Sequence, residues 1–125
     1  MGRDVSEIDY LNICKILHID DIVKDSIQGY DYVLEENGIN LSGGQRQRII
    51  LARSLLKNSN IIMIDEGFNQ IDITLEREIL QDIFTYYHNK TFIIVSHRKE
   101  NSDLYNRIIK IKNGVVQSIE EVNNE

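Results

Sequence analysis

Two uninterrupted apolar runs, each closed by polar residues, limit what this chain can fold into more than any other feature. The runs Ile61–Ile64 and Thr91–Val95 lack the alternation of a half-exposed strand, so both are expected to be buried on both faces of a parallel sheet. Between them, apolar residues recur every four positions from Leu75 to Tyr87, which predicts an amphipathic helix on that sheet. Strand, helix and strand in this order indicate an α/β fold.

The remaining elements are predicted from periodicity and turn residues. Residues 6–17 and 19–27 are expected to form short helices, the first with Ser6 as its N-cap. Near the C-terminus, two strands at 107–112 and 115–119 flank Asn-Gly, the dipeptide that most strongly favours a tight β-hairpin.

A glycine stretch, Leu41-Ser42-Gly43-Gly44-Gln45-Arg46-Gln47-Arg48, leads into a further helix that is expected to end near residues 57–58. Glycines at a helix N-terminus leave backbone N–H groups accessible, which makes an anion-binding site. Ser42 adds a hydroxyl donor. Gln45, Arg46 and Arg48 add polar and cationic groups close by. The glycine stretch is therefore predicted to bind a phosphate.

Charged and polar residues follow each apolar run at the end of the predicted strand. Asp65 and Glu66 close the first run, and His97 follows the second. The carboxyl ends of parallel strands lie at one edge of a sheet, so these side chains are expected to share that edge. Adjacent carboxylates on a strand point to opposite sides, which suits Mg²⁺ binding by Asp65 and polarisation of water by Glu66. The alternatives are a solvated acidic pair and a surface histidine.

Composition argues against several classes of function. The chain has 14 basic and 20 acidic residues, and this net charge of −6 disfavours broad nucleic-acid binding. No apolar run approaches the roughly 20 residues needed to cross a bilayer. The single cysteine, Cys14, is expected to be a small core residue and not a nucleophile.

One apparent phosphate-binding P-loop does not fit its pattern. Gly38 and Gly43 have the spacing of the P-loop glycines, but Gly44-Gln45 stands where lysine and a hydroxyl residue are needed. The lysine reaches the phosphates and the hydroxyl reaches Mg²⁺ in a working P-loop. We therefore expect that this sequence contains no P-loop.

Taken in order, these motifs resemble the nucleotide-binding domain of ABC transporters, over about Val5 to Ile119. The glycine stretch is similar to the family's highly specific signature motif. The resemblance implies that the cofactor-binding positions of this motif are Leu41, Ser42, Gly43, Gly44 and Gln45.

The same resemblance implies roles for the acidic residues and the histidine. The run Ile61–Asp65 looks like the Walker B strand, with Asp65 as the group linked to Mg²⁺. Glu66 looks like the catalytic glutamate and His97 like the switch histidine. Asp72, which the residues alone predict to be a helix N-cap, looks like the D-loop aspartate that faces the partner in a dimer.

The family's geometry implies ATP as ligand and a second nucleotide-binding domain as partner. Two such domains dimerise head to tail, so Ser42, Gly43 and Gly44 would grip the γ-phosphate of ATP held by the other chain. Asp65 and Glu66, with His97, would serve the ATP of their own chain.

A membrane partner is implied by residues 33–38, which are similar to the loop that precedes the signature in exporters. In the family this loop, with Glu36 at its acidic position, touches the membrane domain. The continuation Gln45–Arg48 also favours exporters of peptides, bacteriocins, lipids or drugs. The implied location is the cytoplasmic side of the cell membrane.

Two departures from the family pattern matter. Residues 67–71 read Gly-Phe-Asn-Gln-Ile where the family usually has Ala-Thr-Ser-Ala-Leu, so the serine is replaced by Asn69. The P-loop, the adenine-stacking aromatic residue and the glutamine loop precede the matched region in the family. We therefore expect this chain to be the C-terminal part of a larger polypeptide, unlikely to bind or hydrolyse ATP alone.

The predicted architecture is a partial P-loop NTPase fold of one incomplete domain. It comprises a helical subdomain portion (1–58), a core portion with the parallel strands and the C-terminal β-hairpin (59–119), and a polar tail (120–125). In the family the P-loop strand lies between the strands at 91–95 and 107–112. Its absence is expected to lead to rearrangement, pairing with another copy through exposed strand edges, or low stability.

The leading hypothesis is the ATP-hydrolysing motor part of an ABC exporter. A non-catalytic interaction module that docks onto a full-length partner is the second hypothesis, and a soluble ABC-type ATPase of translation or DNA repair is the third. The exporter-like loop and the acidic charge of −6 disfavour the third.

Overall fold

A computed structural model describes residues 7–23 and 41–122. Its helices are α1 (Glu7–Ile16), α2 (Ile19–Val23), α3 (Gly43–Leu56) and α4 (Ile73–Tyr86), and a 3₁₀ turn covers Ser102–Leu104. Its strands are β1 (Ile61–Asp65), β2 (Thr91–Val95), β3 (Arg107–Lys112) and β4 (Val115–Glu121). Ser6, the end of the helix expected at 19–27, and the exporter-like loop with Glu36 lie outside the described residues.

The predicted strand–helix–strand unit is confirmed. Strands β1 and β2 are parallel and in register from Ile61 opposite Thr91 to Asp65 opposite Val95, with α4 between them in the chain. This register brings the carboxyl ends of both strands to one edge of the sheet.

The C-terminal hairpin also forms as predicted. Strands β3 and β4 are antiparallel, and Asn113 and Gly114 turn between them with φ angles of 55° and 76°. Positive φ at both central positions is what a two-residue turn of the hairpin type requires, and Asn-Gly adopts it readily. Strand β4 continues two residues beyond the predicted end, to Glu121.

The expectation that β1 and β2 are buried on both faces is wrong for the described residues. Ile62 and Ile64 are buried, but Met63, which points the other way, is 73% exposed. On β2, Ile93 and Val95 are also exposed. The helices cover one face of the strand pair, and among residues 7–23 and 41–122 no element covers the other.

The core lies between the helices and the covered face of the strand pair. Helices α1, α3 and α4 contribute most of its fully buried side chains, among which are Ile13, Cys14, Ile49, Ala52, Leu55, Ile79, Leu80 and Ile83. Burying one large aliphatic side chain of this kind contributes about 1.5–3 kcal/mol. Cys14 is part of this core, as predicted, and burial raises the pKa of its thiol to about 11.

The two strand pairs remain separate sheets in the described part of the chain. Strand β2 pairs with β1 and β3 pairs with β4, so no described strand occupies the place between β2 and β3. Among the described strands, no rearranged pairing closes this gap. No helix within residues 7–23 and 41–122 has the length and apolar character to cross a bilayer.

Candidate functional site

The glycine stretch begins helix α3 through a reciprocal cap. Ser42 is the N-cap residue, and its Oγ accepts a hydrogen bond from the Gln45 backbone N–H at 3.2 Å. In return the Gln45 side-chain Oε1 accepts from the Ser42 backbone N–H at 3.1 Å. A hydroxyl that accepts one bond still has its own proton to donate. Ser42 can therefore cap the helix and donate to an anion at the same time.

Both glycines of this stretch allow a close approach of Gln70. A Cβ added at Gly43 would lie 1.5 Å from the Oε1 atom of Gln70. At Gly44 it would lie 2.7 Å from the backbone oxygen of Gln70. The second contact is with backbone, so a side chain at Gly44 would force the loop or the helix to move. The paired glycines thus serve packing inside this chain as well as access for an anion.

Arg48 does not belong to the candidate anion site. Its guanidinium donates to the backbone oxygens of Leu17 and His18, at 3.4 Å and 3.0 Å, beyond the end of α1. Burial in this position lowers the pKa of Arg48. The expectation that Arg48 adds a cation near the glycines is wrong, because it lies on the side of α3 that packs against α1. Arg46, by contrast, is exposed.

Glu66 and His97 lie in contact at the carboxyl ends of the parallel strands. His97 Nε2 is 2.6 Å from Glu66 Oε1, and the His97 side chain is 90% exposed. Glu66 follows the last residue of β1 and has a φ of 54°, the left-handed region, which costs about 1–3 kcal/mol for a residue other than glycine. Its backbone N–H donates to the Val95 oxygen at 2.8 Å, which ties it to the end of β2.

The direction of the Glu66 side chain has a different cause from the one that the sequence predicts. Because β1 ends at Asp65, strand alternation does not set the direction of the Glu66 side chain, and the contact with His97 does. Asp65 is exposed at the strand end, opposite Val95. Asp72 is the N-cap of α4, since its Oδ1 accepts from the Leu75 backbone N–H at 2.8 Å.

Gln47 is a residue whose role sequence reasoning missed. Its Nε2 donates to the Glu66 backbone oxygen at 3.2 Å and to Asn69 Oδ1 at 2.5 Å. Its Oε1 accepts from the Gln70 backbone N–H at 3.0 Å. In the sequence Gln47 is only one residue of the glycine stretch, and no periodic pattern indicates such a contact. Through it, α3 holds the loop formed by residues 66–71, called here the 66–71 loop.

Arg98 also holds the 66–71 loop. Its guanidinium donates to the backbone oxygens of Ile71 and Asn69, the latter at 2.8 Å. It also pairs with the Glu76 carboxylate at 2.7 Å, and Glu76 is only 2% exposed. A carboxylate this deep in the core needs such a partner. The sequence signal was the arginine after His97, whose buried partner could not be read from the pattern.

An open pocket lies beside the glutamate–histidine pair. It is lined by Glu66, Gly67, Phe68, Asn69, Val95, Ser96, His97 and Arg98. Within residues 7–23 and 41–122, no three histidine, cysteine or acidic side chains converge as a metal cage. Mg²⁺ in nucleotide sites is commonly held by one or two carboxylates and by phosphate oxygens, so the exposed Asp65 fits that kind of coordination.

Comparison with known proteins gives consistent matches. The profile of the ABC transporter family matches residues 16–69. An ATP-dependent lipid A-core flippase of Thiobacillus denitrificans is 35% identical over 112 residues, which are 90% of this chain and 19% of the relative. The Alpha-hemolysin translocation ATP-binding protein HlyB of Escherichia coli O157:H7 is 38% identical over 96 residues, or 77% of this chain and 14% of that protein.

A solved structure agrees with these sequence matches. A bacterial Atm1-family ABC exporter with ATP bound superposes with a TM-score of 0.81 at 30% identity, covering 96% of this chain and 21% of the exporter chain. The chain thus spans about a fifth of the length of such relatives. The mixed α/β fold, the glycine stretch at a helix start and these matches lead to one conclusion: the chain belongs to the ABC transporter family and corresponds to part of its ATP-binding domain.

Proposed function

We propose that this chain supplies part of the ATP-hydrolysing motor of an ABC exporter that powers transport across a membrane. The observation that carries the proposal is the 2.6 Å contact between Glu66 and His97 at the carboxyl ends of two parallel strands. Phosphoryl transfer needs a residue that orients the attacking water and groups that stabilise charge on the phosphate. A carboxylate and an imidazole at this edge suit those two tasks.

In this proposal Glu66 and His97 have different roles. One oxygen of Glu66 is engaged by His97, and the other remains able to accept a proton from water. His97, whose ring is exposed and whose Nε2 faces Glu66, would donate to a phosphate oxygen through its other nitrogen, Nδ1. Asp65 would hold Mg²⁺ together with phosphate oxygens, and ATP would supply the phosphoryl group.

The glycine stretch and Asp72 would act at the interface with a second nucleotide-binding domain. Ser42 has a hydroxyl proton to donate, and the Gly43 and Gly44 N–H groups open helix α3, so this end of α3 suits a γ-phosphate brought by another chain. Leu41 is half-buried and Gln45 closes the cap, so both shape the stretch. Asp72 would lie near the same interface. We place the assembly at the cytoplasmic side of a cell membrane, with a membrane domain as the further partner through the loop that contains Glu36.

The test is the hydrolysis rate of the complete ATPase of which we propose this chain is part. Glu66→Gln keeps the shape of the side chain but removes its basicity, so turnover should fall by about 10²–10⁴-fold while ATP binding is retained. His97→Ala should also lower the rate strongly. His88→Ala is the matched control, because His88 is exposed beyond the end of α4. Turnover retained in Glu66→Gln would contradict the proposal.

A second candidate function is a non-catalytic interaction module. The exposed apolar residues Met63, Ile93 and Val95 on the uncovered sheet face favour it, since such patches commonly mark protein contacts. Self-association through the edge of β2 with which no described strand pairs is one form of this function. Sedimentation at several concentrations of the 125-residue chain tests it, and a species of constant monomer mass would count against it.

A further inference from the structure

The contacts of Gln47 connect two parts of the site that the proposed function treats separately. One part is the start of helix α3, with the glycines; the other is the pair formed by Glu66 and His97. Gln47 lies on the first turns of α3 and reaches the 66–71 loop, which begins at Glu66. The two parts are therefore linked through one side chain of the same chain.

The orientation of this side chain is fixed by its partners. The two groups facing Nε2, the Glu66 backbone oxygen and Asn69 Oδ1, are acceptors, whereas the group facing Oε1 is the Gln70 backbone N–H. Rotating the carboxamide by 180° would place oxygen against oxygen and N–H against N–H. Only a primary amide satisfies all three partners, since a carboxylate lacks the donors.

The strained residue of the site is the one that Gln47 holds. Glu66 has a φ of 54°, and such a conformation persists in a residue other than glycine only where neighbouring groups fix it. Val95 holds its backbone N–H at 2.8 Å and Gln47 holds its backbone oxygen at 3.2 Å. With both ends of the residue fixed, its carboxylate lies against His97.

We propose that Gln47 is a positioning residue that couples the start of helix α3 to the contact between Glu66 and His97. Its role in catalysis rests on the proposed function, but the coupling itself does not. Displacement of the start of α3, as when an anion binds there, would be transmitted through the carboxamide to the Glu66 backbone. The close packing of Gly43 and Gly44 on Gln70 leaves little room for the two parts to move independently.

The test follows the ring resonances of His97 by NMR in the 125-residue chain. Glu66→Ala gives the reference spectrum of a His97 that lacks its partner. Gln47→Glu has nearly the same shape and keeps the acceptor for the Gln70 N–H, but it sets an oxygen against the Glu66 backbone oxygen. We expect it to move the His97 resonances at least halfway to the reference. Gln81→Glu on α4, exposed and with the same change of charge, should leave them in place.

A purely structural role for Gln47 gives a different result. In that case Gln47→Glu lowers the melting temperature while the His97 resonances stay at their wild-type positions, and the proposal is wrong. A measurement on the wild-type chain remains informative should that variant not fold. The side-chain amide protons of Gln47 should exchange with solvent at least about tenfold more slowly than those of Gln81, because they are hydrogen-bonded. Equal exchange rates overturn the proposal.

The complete ATPase separates this inference from the proposed function. Gln47→Glu should lower kcat by up to about 10²-fold, the size expected for a small misplacement of a reacting group, with little change in KM for ATP. Absence of hydrolysis in the wild-type protein, with His97 resonances that respond to Gln47, would reject the function and retain the coupling. Hydrolysis by the wild-type protein, with His97 resonances that do not respond to Gln47, would retain the proposed function and reject the coupling.

Discussion

Ile79 and Ile83 on α4 are fully buried, whereas Ile109 and Ile111 on β3 are more than half exposed. The first two belong to a body made of the four described helices with β1 and β2, and the others belong to the C-terminal hairpin. On the hairpin, Ile109 pairs with Ile119 and Ile111 with Val116, so these four side chains form one apolar face. The same residue type thus stabilises the body by burial and gives the hairpin an exposed apolar face.

The charged pairs of the two regions differ in the same way. In the body, Arg98 pairs with the buried Glu76, and in the hairpin Arg107 pairs with Glu121 at 2.7 Å while both side chains are more than 60% exposed. Water competes for an exposed pair and screens it, but it cannot replace a partner in the core. The body should therefore depend on its pair and the hairpin should not.

The largest effect is expected from Arg98→Met. This change leaves the Glu76 carboxylate buried without its guanidinium, which should lower the free energy of unfolding by about 3–5 kcal/mol in urea denaturation. Arg107→Met in the hairpin is the matched control and should cause little measurable change. Similar small effects at both positions would show that the Glu76 site is open to water in solution.

A smaller difference is expected between two isoleucine truncations. Ile83→Ala opens a cavity in the body and should cost about 2–5 kcal/mol of stability, measured by thermal or urea unfolding. Ile111→Ala removes the same atoms from a side chain that is 68% exposed, and the change should stay within about 0.5 kcal/mol. A large, concentration-dependent loss at Ile111 would mean that a second copy covers the hairpin face.

The smallest effect concerns alkaline pH and is confined to the body. Burial raises the pKa of Cys14 to about 11 and that of Tyr87 to about 12. A folded-state pKa above the unfolded value gives stability that is complete below the unfolded pKa and is lost as the pH rises through the folded one. The melting temperature should therefore be flat up to about pH 9, the ordinary pKa of a thiol, and then fall.

Cys14→Ala tests how much the thiol contributes to the fall of the melting temperature with rising pH. One proton contributes at most about 1.4 kcal/mol per pH unit, so the variant should show a shallower fall between about pH 9 and 11. Its absolute stability also changes, so the comparison is between slopes. An unchanged slope would show that other groups govern the alkaline transition.

The sequence predicted the elements of both regions but not what covers them. The spacing of Leu75, Ile79 and Ile83 requires a helix with one apolar face, and Asn113-Gly114 requires a tight turn, because both signals are local. The exposure of the Met63 side chain is not a local property, because it depends on whether an element from another part of the sequence packs against it. The apolar run of β1 therefore predicts burial on both faces, whereas one face is exposed.

In the candidate site, too, local features were predictable from the sequence and contacts between distant residues were not. The positions of Glu66 and His97 follow from where two parallel strands end, so their meeting was predictable from the chain. The roles of Gln47 and Arg98 were not predictable. Each of these side chains donates to a backbone oxygen that lies 19 or more residues away in the sequence. The motif also predicts the wrong side of α3 for Arg48, because it shows which residues are neighbours in sequence and not which face of the helix they occupy.

Isothermal titration calorimetry of the 125-residue chain with Mg-ATP shows whether this chain contributes only one part of a composite nucleotide site. No stretch of this sequence has the P-loop pattern, and the glycine stretch is proposed to act on a nucleotide held by another chain. We expect no tight binding by the chain alone. A saturable titration with a dissociation constant in the micromolar range or below would contradict this expectation.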